Sequence, residues 1–330
     1  MTDLPSWGVA SDSPTAQHYR TFGATEARGS SATYEDWALG IAADDEVLAL
    51  IDELPRTKRQ ANLVFAAARV AGVPIAPWPQ ARGTFVERWP QIRVTASTHA
   101  TQTNEAARCA VLLPVLARIP GPLALLEVGA SAGLCLHPDR YGYRYAMPGG
   151  AVHALDPHPA SGVVIDCEIE DAVPPDRLPE VVWRAGIDLN PLDPGDPATV
   201  DWLEALIWPE HEDRRRRLRA AAAIAAGDPV RIRAGDLNEL VADAAAAAPA
   251  EATLVVFHTA VLAYAAPEER ERFAATMAGL DAVWISNEGV GVFPEIEGRL
   301  PADVRHRFVL AVDGRPVALT HPHGRSYTGL

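Results

Sequence analysis

The chain has little cysteine. Cys109, Cys135 and Cys167 are scattered over 330 residues and no C-x-x-C occurs. This excludes a zinc knuckle and a disulfide frame, and implies a reducing compartment. No stretch approaches ~18 uninterrupted apolar residues, the length a membrane span requires, so no membrane partner is expected. The amino terminus, Met1 to Trp7, lacks the basic-then-apolar order of a secretory leader, and a cytoplasmic location is expected. Positive charge is also scarce: 29 Lys and Arg stand against 43 Asp and Glu, a net charge of −14. No basic face is evident, so nucleic acid is not an expected partner. The run Arg214 to Arg217 follows Glu210, Glu212 and Asp213 and precedes an alanine-rich segment, which reads as a solvated helix face. G-x-x-x-x-G-K is absent, which argues against a phosphate-loop nucleotidase. His321 and His323 have no carboxylate near them in sequence, and His153 and His158 are single histidines, whereas a zinc site needs three or four convergent ligands, so no metal site is expected.

What is present is ample core material. Hydrophobic residues make up 48% and charged residues 22%, the balance of a globular protein of one large or two ordinary domains. No internal repeat is visible. Residues 1–118 read as a helical domain. Ser13 and Pro14 start a helix over 16–27. Ser31 caps a second over 34–42, and Asp44 and Asp45 cap a third over 47–54. Pro55 opens a fourth, with Leu63, Val64, Ala67, Ala68 and Val70 on one face. Three prolines in 73–79 make a rigid connector. A last helix is expected over 98–118, and the one weak strand signal lies at 92–95.

From residue 119 the pattern changes to strands alternating with helices. Strands are expected at 123–127, 181–188, 230–236, 253–258 and 282–287. Helices are expected at 199–226, 237–247 and 267–280. A hairpin turns at Asp313 and Gly314. Residues 139–180, rich in Tyr, Pro, Gly and His, read as an inserted lobe with short strands.

The chain is organised around residues 123–136. The apolar run Leu123 to Leu126 reads as a buried strand ending at Glu127, and Gly129 and Gly133 bracket a turn expected to lead into a helix. Such a turn presents backbone N–H groups and the positive end of a helix dipole to a ligand. Gly129, Ala130, Ser131, Ala132 and Gly133 spell G-x-S-x-G, the nucleophile elbow of hydrolases. With Glu127 they also spell an acidic-x-Gly-x-x-x-Gly loop. The second and third strands end in acids too, Asp188 and Asp236. Each acid alone serves equally well as a helix cap. Together they make a set, because a carboxylate accepts from two vicinal hydroxyls at once.

The acidic-x-Gly-x-x-x-Gly loop, the five strand–helix repeats and the closing hairpin are similar to the class I S-adenosylmethionine-dependent methyltransferases. The resemblance implies an α/β fold, a Rossmann-like methyltransferase sheet with an N-terminal helical domain. It implies S-adenosylmethionine as cofactor, held by Glu127, Gly129, Ala130, Ser131, Gly133, Asp188, Leu189, Gly235, Asp236 and Leu237. Glu127 would lie near the methionine end, Asp188 at the ribose hydroxyls, Asp236 near the adenine amino group and Leu189 over the adenine. Asp188 comes 61 positions after Glu127, whereas such acids usually follow the glycines by about 20. Either the lobe is inserted or Asp156 is the ribose acid. The chain also resembles, over nearly its full length, an uncharacterised bacterial family, domain of unknown function 2332. That resemblance rests on residues 102–105, 127–133, 139–143, 186–191, 208–210, Phe257 with His258, and the ending His321-Pro322-His323-Gly324.

The catalytic candidates are His258, Tyr264, Glu288 and Glu105. His258 ends the fourth strand and titrates near neutrality, suited to general-base work. Glu288 follows the fifth strand, and Glu105 and Arg108 sit three apart on an expected helix, with Asn104 beside them. Arg140, Tyr141 and Tyr143 read either as a rim for substrate or as packing. Three functions are consistent with these residues. The first is a methyltransferase-like enzyme acting on a small molecule. The second is a serine hydrolase with Ser131, Asp236 or Glu288, and His321 or His323. The third is a non-catalytic cofactor-binding protein. Neither the methyl acceptor nor the oligomeric state can be read from the sequence.

Overall fold

The computed structural model describes residues 13–298, 300, 304 and 307–330. Met1 to Trp7, where no secretory leader is expected, lie outside the described residues. The chain folds into two compact units. One contains residues up to Thr103 together with Val200–Arg216, and the other contains Asn104–Thr199 and Arg217–Leu330. The division therefore falls at residue 103 rather than 118, and a segment distant in sequence joins the helical unit. Among the described residues there are twelve α-helices and eleven strands, a mixed α/β protein. None of those helices is long and apolar enough to cross a membrane.

In the helical unit, α1 (Pro14–Thr21) is capped by Ser13 and runs on as a π-helical turn over Phe22–Ala27. Ser31 accepts from Tyr34 N at the start of α2 (Ala32–Ala42), and Asp44 accepts from Val47 N at the start of α3 (Asp45–Ile51). These caps satisfy amides that have no partner inside the helix. α4 (Ala61–Val70), α5 (Trp78–Glu87) and α6 (Trp89–Thr98) follow. The weak strand signal at 92–95 lies inside α6. Ile92 and Ala96 are buried there at helical spacing while Val94 is exposed, so the period of the core decided against the local preference of Ile, Val and Thr. The core is aromatic: Trp37 meets Phe65 edge to face at 5.6 Å, and Trp78 meets Phe85 at 5.5 Å. Gly40 lets Trp78 lie on α2, since a Cβ there would sit 2.1 Å from the indole. The expected single helix over 199–226 is two, α8 (Pro197–Leu206) and α9 (Glu212–Gly227), because Pro209 cannot donate to a continuing helix.

The second unit is built on one sheet. Its strands are β1 (Leu123–Val128), β2 (Gly142–Ala146), β3 (Val152–Leu155), β4 (Val164–Glu170), β5 (Val181–Asp188), β6 (Arg231–Ala234), β7 (Thr253–Thr259), β8 (Val283–Gly289), β9 (Phe308–Val312), β10 (Arg315–Thr320) and β11 (Ser326–Gly329). Their order is β3-β2-β4-β11-β10-β9-β8-β7-β1-β5-β6. The central β6-β5-β1-β7-β8 strands are parallel. β1 lies in the middle, and all six of its residues are buried, as a strand covered on both faces requires. Strand order reverses on either side of β1, and such switch points open a crevice at the carboxyl ends. α10 (Leu237–Ala245) and α11 (Pro267–Ala278) cover one face of the sheet, where Leu126, Val128, Val256, Phe273 and Trp284 share a core. The β9–β10 turn has positive φ at both Asp313 (48°) and Gly314 (71°), the mirror-image turn that matches strand twist.

Three expectations change here. No α-helix follows the glycine turn; residues 134–136 and 138–140 form two short 3-10 turns. Pro138 has no N–H to give a helix and pushes His137 out of helical geometry, to φ −115° and ψ 41°. The expected helix over 98–118 shrinks to α7 (Cys109–Leu116), preceded by a 3-10 turn at Ala106–Arg108. Glu105 stops it at the amino end by accepting from Ala107 N at 3.2 Å. Residues 139–180 are not a separate lobe, since β2, β3 and β4 extend the main sheet and β4 pairs with β11. That pairing covers the otherwise open edge of β11.

The buried phenols of β2 and the residue before it take over the helix's structural role. Tyr141, Tyr143 and Tyr145 donate to Leu134 O (2.7 Å), Pro138 O (2.6 Å) and Ala110 O (2.8 Å). Tyr141 and Tyr143 are thus packing, and the far edge of the sheet curls back over the turns that leave β1. Arg184 on β5 completes this layer, donating to Leu136 O (2.9 Å) and to both oxygens of Asp139 (2.6 and 2.7 Å).

His137 lies in this layer, buried, and among the described residues neither ring nitrogen has a hydrogen-bond partner. Burial, reinforced by Arg184 and opposed by Asp228, holds its pKa down to about 4. The unfolded chain takes the proton first, near 6.5, so stability is full above 6.5 and falls as pH drops toward 4. The loss approaches about 3 kcal/mol for a shift of this size. Urea unfolding at pH 7 and pH 4.5 should show a drop in stability that His137→Phe reduces; equal drops in both proteins would refute this assignment.

Candidate functional site

The glycine turn is held by the protein on every side. Gly129 and Gly133 take positive φ (76° and 69°), and so does Ser131 (50°), a conformation that strains a residue with a side chain. The amides of Gly129 and Ala130 donate to Ile187 O at 2.8 and 3.1 Å, and Gly133 N donates to Ala130 O at 2.6 Å. Ser131 N donates to Asp188 Oδ2 at 2.8 Å. Asn104 grips the turn twice, accepting from Ala132 N at 3.0 Å and donating from Nδ2 to Ser131 Oγ at 2.9 Å. The expected free N–H groups are therefore engaged, and no helix end stands behind them. Gly129 is required for packing, because a Cβ there would lie 2.4 Å from Val261.

The three acids stand at the carboxyl ends of adjacent strands, Glu127 on β1, Asp188 on β5 and Asp236 just beyond β6. Register pairs Glu127 with Gly186 and Asp188 with Ala234. Alternation along each strand then puts Glu127 and Asp188 on one face. Gly235 N donates to Asp188 O at 3.0 Å, joining the ends of β5 and β6. Asp188 also accepts from Asn190 N at 2.7 Å, and Asp236 caps α10 by accepting from Asn238 N at 2.8 Å. Leu237 is half-buried behind it. Leu189 is held out to solvent, 79% exposed. Asp156 is placed elsewhere, beyond the end of β3, paired with Arg144 at 3.0 Å.

Glu127 is buried, and its Oε2 has no hydrogen-bond partner among the described residues. Burial pushes its pKa well above the usual carboxylate range, with Cys135 adding to the rise, Arg108 opposing it and Asp188 adding a smaller push. Its carboxyl is thus neutral over an interval above pH 4.5 where an exposed glutamate is ionised. Nearby on the same face are Thr259 and Asn287, opposite each other in the β7–β8 register. Arg108, also buried, donates to Thr259 O at 3.0 Å and to Pro322 O at 2.9 Å. Thr320 Oγ1 donates to Asn287 Oδ1 at 2.7 Å, and Asn287 Nδ2 is buried without a partner among the described residues. The ending His321-Pro322-His323-Gly324 docks against this group. A Cβ on Gly324 would lie 2.0 Å from Ala107 O.

The catalytic candidates do not assemble into one group. His258 and Glu288 are together, with Nδ1 2.6 Å from Glu288 Oε1, and Trp284 Nε1 lies 3.0 Å from His258 Nε2. An indole nitrogen only donates, so Nε2 accepts and the ring proton sits on Nδ1, facing Glu288. Both ring nitrogens are engaged and the ring is fully buried beside Phe273 and Phe293. Glu288 Oε1 also accepts from Val261 N and Leu262 N at 3.0 and 3.2 Å, which fixes the turn after β7. In register, His258 pairs with Val128 and Ser286, so His258 and Glu288 project from the opposite face to Glu127 and Asp188. Tyr264 is 88% exposed on a surface turn. Glu105 pairs with Arg217 at 3.1 Å rather than with Arg108, since residue 105 lies before the helix and the expected i, i+3 spacing does not form.

Ser131 Oγ accepts from the Asn104 amide at 2.9 Å, and among the described residues no His, Asp or Glu side chain is hydrogen-bonded to it. Among the described residues no three His, Cys, Asp or Glu side chains group as a metal site. Thr259 and Thr320 escaped the sequence reading, having no motif and acting through partners distant in the chain. Arg108 is visible in the sequence, but only as one of an expected helix-face pair with Glu105.

The chain belongs to the bacterial family described as uncharacterized protein conserved in bacteria (DUF2332), whose model matches residues 16–328. No curated protein matches it, and no solved structure does.

Because the folded state raises the pKa of Glu127, the stability it contributes is full below about pH 4.5 and is lost as pH rises toward the folded value. Glu127→Gln keeps the neutral shape. It should match wild type in urea at pH 4 and exceed it at pH 8, and a variant less stable at pH 8 would contradict the neutral carboxyl.

Proposed function

We propose that the chain binds S-adenosylmethionine across the carboxyl ends of β1, β5 and β6 and is a methyltransferase-like enzyme acting on a small molecule. The proposed layout is Rossmann-like, of the class I methyltransferase kind. The observation that carries the reading is the set Glu127, Asp188 and Asp236 on adjacent strand ends, with Leu189 exposed beside them.

The residues fit a nucleoside better than a nucleotide. With every amide of the glycine turn engaged and no helix end behind it, the site lacks the cradle that phosphates need. S-adenosylmethionine carries no phosphate. A carboxylate has about four acceptor positions, and two N–H groups use part of Asp188, leaving room for a pair of ribose hydroxyls. Leu189 offers an apolar surface to the purine, and Asp236 a carboxyl to an amino group. Glu127, neutral and with an unpartnered oxygen, offers both a donor and an acceptor at the inner end.

When bound, the cofactor supplies an electrophilic methyl on a sulfonium. The chain's part is chiefly alignment and exclusion of water. His258 is not positioned for proton transfer on this face. That single fact favours a second reading, cofactor binding without turnover, which transfer of a radiolabelled methyl group to candidate small molecules would separate from the first.

Calorimetry with S-adenosylmethionine and S-adenosylhomocysteine tests the site. Leu189→Asp should weaken binding severalfold with unchanged unfolding, since the side chain is exposed. Asp188→Asn should weaken it by about tenfold or more, the scale of a charge-assisted hydrogen bond. Absence of saturable heat with both ligands would end the proposal.

A further inference from the structure

At the other end of the sheet, the first residues of β7 and β8, Thr253 and Val283, border an open cavity of about 610 Å³. That is the size range of small-molecule sites. It is distinct from the crevice above, which lies at the carboxyl ends of the same strands.

Its wall is mostly apolar, including Val115, Ile119, Val283 and Val317. Backbone amides on the rim are already engaged. Thr253 N donates to Pro122 O at 2.9 Å and Leu330 N to Val317 O at 3.1 Å. Asp313, the acid in the lining, is turned to the backbone, its Oδ1 accepting from Trp284 N at 2.9 Å.

Two polar side chains in the wall differ from these. Neither the Arg118 guanidinium nor the Tyr327 hydroxyl has a hydrogen bond or ion-pair partner among the described residues. They are close enough to act on each other, since burial raises the Tyr327 pKa and the Arg118 charge partly offsets the rise. An unpaired guanidinium beside a phenol donor is a carboxylate-binding pair. One cation and one neutral donor suit a monoanion. A phosphate dianion would require more donors and would meet Asp313.

We infer that this cavity is a second binding site, for a small monocarboxylate with an apolar body. The carboxylate sits between the Arg118 guanidinium and the Tyr327 hydroxyl, and the body lies on the valine and isoleucine wall.

Calorimetry of the full chain with octanoate tests the inference, with 1-octanol as the uncharged probe of similar length. Octanoate should bind saturably at one site. Arg118→Gln, an exposed substitution, should weaken it by about tenfold or more while leaving thermal unfolding unchanged. Octanol should bind more weakly than octanoate, and Leu189→Asp, at the far end of the sheet, should have no effect. No saturable heat, equal binding by Arg118→Gln, or equal affinity for octanol would each overturn the assignment. None of these outcomes bears on the S-adenosylmethionine site.

Discussion

The architecture of the candidate site depends on the grip of Asp188 and Asn104 on the glycine turn. Ser131 is held at positive φ, and the Asp188 carboxyl and the Asn104 side-chain amide stand on either side of it. Each bond links segments far apart in sequence: the loop before α7, the end of β1 and the end of β5. Charge-assisted and amide hydrogen bonds of this kind offset the strain of a left-handed serine, which is of order 1–3 kcal/mol. The turn is consequently shaped before any ligand arrives. Its chemistry is that of side-chain carboxyls, not of backbone amides.

A second constraint follows from Pro138. By ending the 3-10 turn after Gly133 it removes the helix that would otherwise cover this face of β1. The space is filled by three tyrosines: Tyr141 and Tyr143 donate to Leu134 O and Pro138 O in the turns, and Tyr145 donates to Ala110 O in α7, a carbonyl that Pro114 leaves without an amide donor. Arg184 and Asp139 do the same work with charge. This arrangement also explains why strands β2, β3 and β4 join the main sheet. They bring the tyrosines over the turns, and β4 closes the edge left by β11.

The two faces of the sheet at its carboxyl end have different chemistry. One carries Glu127, Asp188, Thr259, Asn287 and Arg108, a polar group with two buried atoms lacking partners. The other carries His258, Glu288 and Trp284, where the imidazole is closed off at both nitrogens and acts as a strut, while Glu288 Oε2 is buried without a partner among the described residues. A histidine with both nitrogens engaged fixes a turn well and transfers protons poorly. The strand-end acids and the buried imidazole are thus separated across the sheet by the alternation of strand residues.

Much of the architecture was legible in the sequence. Ser13, Ser31 and Asp44 announced helix starts, Asp313 and Gly314 announced the hairpin, and the apolar run at Leu123 announced the central strand. Caps, turns and periodicity are properties of residues adjacent in the chain, so they survive without knowledge of the fold. The alignment of acids at the ends of β1, β5 and β6 was legible for the same reason, since each acid closes its own strand. What the tertiary structure alone decided is non-local. It set which face each strand end presents, that Glu105 meets Arg217 and not Arg108, and that His258 is sealed beneath Trp284. It also set that residues 139–180 enter the sheet and that residues 200–216 belong with the helical unit. These depend on register and burial between segments tens to hundreds of residues apart. A shift of one residue in register would reverse the faces, and no local pattern encodes it.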